Sequence, residues 1–165
     1  MKRIAYLIHW NEGRDSGVCK KVADQITMWV QEGYEVALCL FTKHAMEMEW
    51  RMLLPGEASL IVQHYVPGYK RMRSFQELLA RVEHWSPDLI YHRFDLFYVS
   101  LPALLRKYSS VIEINTNDLK ELSLGSKLRY YYHRFTRAWV LKAAGGFVFV
   151  SKELSEERHY KKVQP

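Results

Sequence analysis

The first thirty-three residues constrain this chain more than any other stretch. Residues 4–8 (IAYLI) form a short, nearly all-apolar run, the pattern of a central parallel strand covered on both faces. Residues 11–17 supply turn chemistry, with Gly13 and Gly17 able to bring backbone close to a ligand. The helix expected after Gly17 puts Val18, Val22, Ile26, Trp29 and Val30 on one stripe, and Gly33 follows as its C′ stop. Residues 34–41 (YEVALCLF) read as a second buried strand. A strand, a helix and a strand in about forty residues make a right-handed βαβ unit the default.

The pattern then repeats. Residues 42–58 suggest a short amphipathic turn of helix stopped by Pro55 and Gly56. A third strand is expected over 59–66, a helix over 69–85 and a fourth strand from Leu89 to near Arg93. Residues 96–107 read as helix, with Pro102 tolerable only if that helix starts near Leu101 or kinks. A fifth strand (111–114), one long helix (about 120–144), a sixth strand (147–150) and a last helix capped by Ser151 complete the chain. Six short apolar strands separated mostly by amphipathic helices specify an α/β fold: a Rossmann-like, doubly wound, mainly parallel sheet with helices on both faces, in one domain spanning residues 1–165.

Composition narrows the function classes. With 48% hydrophobic and 25% charged residues the chain is globular, and no apolar run approaches the length of a membrane span. Cys19 and Cys39 have no motif spacing and read as buried thiols of a reducing compartment, which implies the cytoplasm. Residues 1–118 carry 14 basic and 14 acidic side chains, whereas residues 119–165 carry ten against four, so the whole excess of +6 lies in the last third. Such asymmetry suits a face that meets anions, or a solvated helix that a partner domain neutralises.

In a doubly wound sheet the carboxyl ends of the strands share one edge, and ligands bind over it. That edge gathers residues 9–17 from His9 to Gly17, His64 and Tyr65, Arg93 to Asp95, Asn115 to Asp118 including Asn117, and Ser151 with Lys152. The loop lacks both GxGxxG and GxxxxGK[ST], which disfavours NAD and P-loop chemistry. Gly13, Arg14, Ser16 and Gly17 could still cradle a phosphate or hydroxyl on backbone N–H groups, or form a plain βα turn. Arg93 offers a planar fork for phosphate or carboxylate, or a structural ion pair with Asp95 or Asp88. Glu113 is a carboxylate in an otherwise buried strand, costly unless paired, and it either orients Arg93 or meets a substrate hydroxyl. His9 is a candidate base or hydrogen-bond donor, or a structural histidine. The histidines show no metal-binding spacing, and no metal is expected.

The helix around SKLRYYYHRFTRAW has Leu128, Tyr131, Tyr132, Phe135 and Trp139 on one side and Arg129, His133 and Arg137 on another. The commoner arrangement packs the aromatic side on the core and leaves the basic side wet. The other lays a basic, aromatic surface on anionic lipid, with Arg129, Arg134 and Arg137 facing it. No nucleic-acid-binding signature accompanies the interleaved aromatics and arginines, so no nucleic-acid partner is expected.

Four stretches, RIAYLIH with its glycine loop, PDLIYHR, VIEINTND and AAGGFVFVSKEL, occur in an order that resembles the N-terminal domain of GT-B glycosyltransferases. The resemblance is to the retaining family 4 type, which builds bacterial surface polysaccharides and glycolipids. It implies an acceptor-side domain facing a donor-binding domain across a cleft. Gly13 and Gly17 would then lie near the donor diphosphate, while Arg93, Asn115, Asn117, Asp118 and Ser151 would line the acceptor side. The donor would be a nucleotide-sugar and the acceptor a saccharide or lipid-linked sugar. These 165 residues do not include the family's donor-binding domain with its E-x7-E-type motif, so the chain alone is expected to be inactive, its partner domain lying on the same or a separate polypeptide. The alternatives are a stand-alone Rossmann-like nucleotide or small-molecule binding module, or a protein-interaction module.

Overall fold

The computed structural model describes residues 2–11, 17–95, 97–123 and 127–161. It is an α/β fold with one six-stranded parallel sheet flanked by helices, in the order β3-β2-β1-β4-β5-β6, which agrees with the doubly wound, Rossmann-like expectation. The chain divides into two compact units, residues 1–90 and 91–165.

The first unit is built on β1 (Arg3–Trp10), α1 (Gly17–Gln31), β2 (Glu35–Thr42), α2 (Glu47–Leu53), β3 (Ser59–His64) and α3 (Lys70–Trp85). β1 pairs in parallel with β2 from Arg3↔Glu35 to Trp10↔Thr42, and β2 pairs with β3 from Ala37↔Ser59 to Thr42↔His64. Ile4 to Ile8 are buried, as a strand covered on both faces requires. β3, an edge strand, is only half-buried. α1 buries Cys19, Val22, Ala23 and Ile26, a stripe rotated toward the small residues from the one expected. Gly33 ends it at φ 84°, with its N–H on the Val30 carbonyl and the Tyr34 N–H reaching back to Trp29, a Schellman closure. Trp10 and Trp50, both fully buried, meet edge to face at 5.1 Å and tie α2 to β1. Burial pushes the Cys39 thiol up to about 12, and the Arg81 charge offsets only part of that rise.

β4 (Leu89–Arg93) crosses the boundary between the units. The second unit continues with α4 (Leu101–Lys107), β5 (Ser109–Ile114), α5 (Asp118–Ser123), α6 (Lys127–Leu141), β6 (Gly146–Phe149), α7 (Lys152–Glu156) and α8 (Arg158–Lys161). α4 starts at Leu101, so Pro102 sits in its first turn, where no helical N–H is lost. Of the single helix expected over 120–144, the described residues form α5 and α6, and the stretch between them, 124–126, lies outside the described residues. β5 pairs with β6 in parallel, from Val111↔Gly146 to Ile114↔Phe149. Just before β6 the chain passes close to β5. The Gly145 N–H donates to the Ser110 carbonyl and to its Oγ, both at 3.1 Å, and Ser110 Oγ–H in turn donates to the Leu105 carbonyl at 2.8 Å. A Cβ at position 145 would meet the Ser110 carbonyl oxygen at 3.1 Å, which is why a glycine stands there.

α6 corrects the sequence expectation. Its aromatic side does not face the core: Leu128, Tyr131, Tyr132, Phe135 and Trp139 are exposed. His133 and Arg137, from the basic stripe, are buried instead. The lipid-facing role expected of Arg137 is therefore overturned, because its guanidinium is drawn inward onto the Asp118 carboxylate. Arg129 and Arg134 are exposed, as expected.

Candidate functional site

Two polar clusters form at the carboxyl side of the strands, one in each unit. In the first, β1 delivers His9, the residue after β3 delivers Tyr65, and the first turn of α3 delivers Arg71. Tyr65 follows β3 directly, with its N–H on the Thr42 carbonyl at 3.0 Å. Its ring stacks on Phe41 at 4.4 Å, and Phe41 meets Phe75 edge to face at 5.1 Å, so an apolar floor holds the phenol in place. Arg71 lies over the Tyr65 ring, 4.8 Å from its centroid.

Three groups converge on the His9 ring. Nε2 lies 2.8 Å from Arg71 Nη2, 2.9 Å from Tyr65 Oη and 3.0 Å from Asn11 Nδ2. Arginine has no acceptor, so it meets the ring as a donor, and the same Arg71 Nη2 and Asn11 Nδ2 also lie 3.2 Å and 3.3 Å from Nδ1. The Tyr65 hydroxyl donates to Asn11 Oδ1 at 2.8 Å. An sp² nitrogen has a single lone pair, so it satisfies one good donor, and here the arginine and the Asn11 amide compete for it. Asn11 is exposed and His9 half-buried, so the cluster opens to solvent.

Of the other candidates in this unit, Gly17 opens α1, is exposed, and has open space where a Cβ would project. Gly13, Arg14 and Ser16 lie outside the described residues. His64 Nε2 is 2.5 Å from Glu47 Oε1, so it is engaged with α2 rather than with His9. That hydrogen bond, aided by Glu47's own backbone N–H, lowers the Glu47 carboxyl below its ordinary range.

The second cluster centres on Asp118, at the start of α5. Arg137 grips the carboxylate with both edges of its fork, Nε to Oδ2 at 2.7 Å and Nη2 to Oδ1 at 2.9 Å. His133 Nε2 also bonds Oδ2, and the Tyr160 hydroxyl from α8 lies 2.6 Å from Oδ1. The Arg137 guanidinium sits 4.8 Å over the Tyr160 ring. Burial raises the carboxyl, but the hydrogen bonds from His133 and Tyr160 and the Arg137 charge outweigh it, and Asp118 is held below the usual carboxylate range. Burial, and then the Asp118 charge, push the Tyr160 phenol well up, so it stays a hydrogen-bond donor. Asp118 thus joins α5, α6 and α8 rather than facing a cleft.

Glu113 is buried in β5, with Arg93 Nη1 at 3.8 Å, so the expected orientation of Arg93 by Glu113 is present as a pair beyond hydrogen-bond length. Asp88, the other suggested partner of Arg93, instead accepts from the Arg3 N–H at 2.8 Å. Asn117 caps α5: its Oδ1 accepts from the Lys120 N–H at 3.1 Å, and its amide donates to Glu157 at 3.3 Å. Ser151 caps α7 through the Leu154 N–H at 3.2 Å, as its position predicted. Asn115 and Asp95 are half-buried in the loops after β5 and β4.

Sequence reasoning placed His9 and Tyr65 on the same sheet edge but missed Arg71 as their neighbour. The only local signal was an aromatic and an arginine flanking the Pro67-Gly68 turn that brings α3 back over the strand end. Among the described residues no three histidine, cysteine or carboxylate side chains gather as a metal site would require. No family model matches the chain, and none of the curated proteins matches it in sequence.

Proposed function

We propose that this chain is the acceptor-side domain of a glycosyltransferase, holding a saccharide or lipid-linked sugar while a nucleotide-sugar is presented by a donor-binding domain on the same or a separate chain. The observation that carries the reading is the His9–Asn11–Tyr65–Arg71 cluster at the carboxyl end of β1. It offers competing N–H donors beside aromatic faces, the combination that recognises sugar hydroxyls and ring C–H faces. The four stretches that resemble family 4 glycosyltransferases support it, since RIAYLIH ends on His9 itself. The same reading places the parent enzyme at the cytoplasmic face of a membrane, as a peripheral protein. A stand-alone nucleotide-binding module is the competing account.

The test is a titration followed by NMR of the His9 and Tyr65 ring signals. Mono- and oligosaccharides should move both, and the shifts should vanish in His9→Ala. Nucleotide diphosphates added alone should move neither. Tight nucleotide binding without any saccharide response would hand the case to the stand-alone module. Sugar transfer by the purified chain with no second domain present would break the half-cleft reading.

A further inference from the structure

The inverted face of α6 has a geometry of its own. At 100° per residue, Leu128, Tyr131, Tyr132, Phe135 and Trp139 fall within an arc of about 100°, and all five side chains are exposed. Arg129 lies to one side of that arc, and Lys127 and Arg134 lie to the other, all three exposed. Lys142, also exposed, follows the last turn beneath the apolar arc. The helix sequence KLRYYYHRFTRAWVL contains no aspartate or glutamate. The pole opposite the arc is closed, because Arg137 and His133 are committed to Asp118.

From this arrangement we infer that α6 is the surface by which the protein docks on an anionic lipid bilayer, lying in the interface plane with its aromatic arc inserted. The flanking cations on both sides argue for a lipid occupant. Long Lys and Arg side chains can reach up from a buried arc to headgroup phosphates, while tyrosine and tryptophan rings settle at headgroup depth. A second copy of the chain would set these cations against their own kind. Tyr132 and Trp139 are braced from the protein side by Phe97, through the Tyr132 hydroxyl on the Phe97 carbonyl at 3.1 Å and an edge contact of Trp139 at 5.6 Å, so the arc is held in shape before it meets lipid. The inference deepens the peripheral placement given under the proposed function by naming its surface, and it would hold for any chemistry at the strand ends.

Flotation with vesicles of phosphatidylcholine alone, or of phosphatidylcholine with phosphatidylglycerol, tests it. The wild type should float with the anionic vesicles and remain unbound with the neutral ones. Replacing the outermost apolar side chains together, Leu128→Glu with Phe135→Glu, should abolish flotation while circular dichroism and the saccharide titration stay unchanged. Removing Arg129 and Arg134 one at a time should lower partitioning about fivefold each. Fluorescence of the wild type, minus that of Trp139→Phe, should shift to the blue on adding anionic vesicles. Flotation that survives the double glutamate variant, equal binding to neutral vesicles, or binding to a soluble acidic polypeptide in place of vesicles would overturn the assignment. Because the saccharide titration needs no membrane, failure here leaves the acceptor-side reading standing, and failure there leaves this one.

Discussion

The His9 and Asp118 clusters are made from the same materials, a histidine, an arginine and a tyrosine, yet they are opposites in satisfaction. Around Asp118 a carboxylate with four lone-pair directions meets four donor atoms from three side chains, so the acceptor is filled, although the other ring nitrogen of His133, Nδ1, is buried without a hydrogen-bond partner. Around His9 the central acceptor has one lone pair, and more donors approach than it can serve. Satisfied and buried, the first is scaffold. Open to solvent, the second is placed where a ligand could reach it. The lesson is that the acceptor count, rather than the residue types, separates a structural polar cluster from a binding one.

The sharpest way to break this comparison is Asp118→Ala. It leaves Arg137 and His133 buried without their carboxylate, and should cost about 3–5 kcal/mol, seen as a fall of roughly 10 °C in the midpoint of thermal unfolding. A variant that unfolds like the wild type would mean the cluster is not scaffold. Next comes pH. The Asp118 carboxyl is lower in the folded protein than the ordinary value of 3.8. Its stabilisation is therefore complete above that value and is lost as pH falls through the depressed folded value. Urea midpoints measured downward from about pH 6 should drop at the acid end. The drop should be shallower in Asp118→Asn, which has no charge to neutralise.

Tyr160→Phe removes one donor to a charged acceptor and should cost about 1.5–3 kcal/mol by urea denaturation. The smallest effect belongs to the other cluster. Arg71→Ala takes away one of several donors around the half-buried His9 ring, so its cost should stay within about 1 kcal/mol while the saccharide response of Tyr65 is lost. A large stability loss there would erase the distinction between the two clusters.

Much of the fold was legible because it is written locally. The apolar run at residues 4–8, Gly33 as a helix stop, Pro102 in a first turn and Ser151 as a cap each depend on neighbours a few residues away. α6 was not legible in the same way. Periodicity separates its aromatic stripe from its basic one, but which stripe turns inward depends on Asp118, a residue in another helix, and a buried carboxylate reverses the usual preference. The candidate site was half legible for the same reason. His9 and Tyr65 could be placed from the ends of their strands, whereas Arg71 reaches them only once the turn after β3 has brought the start of α3 alongside.

The close passage of Gly145 against Ser110 bears on how the AAGGFVFVSKEL stretch should be interpreted. Its Gly145 answers to a backbone that leaves only tight room for a methyl group, and its serine answers to the first turn of a short helix. In a saturation mutagenesis library, position 145 should return almost nothing but glycine, even under a selection for folding alone. A motif of that kind sorts chains by architecture, so two proteins sharing it have inherited the same way of laying one strand beside another before they have anything in common about the molecules they handle.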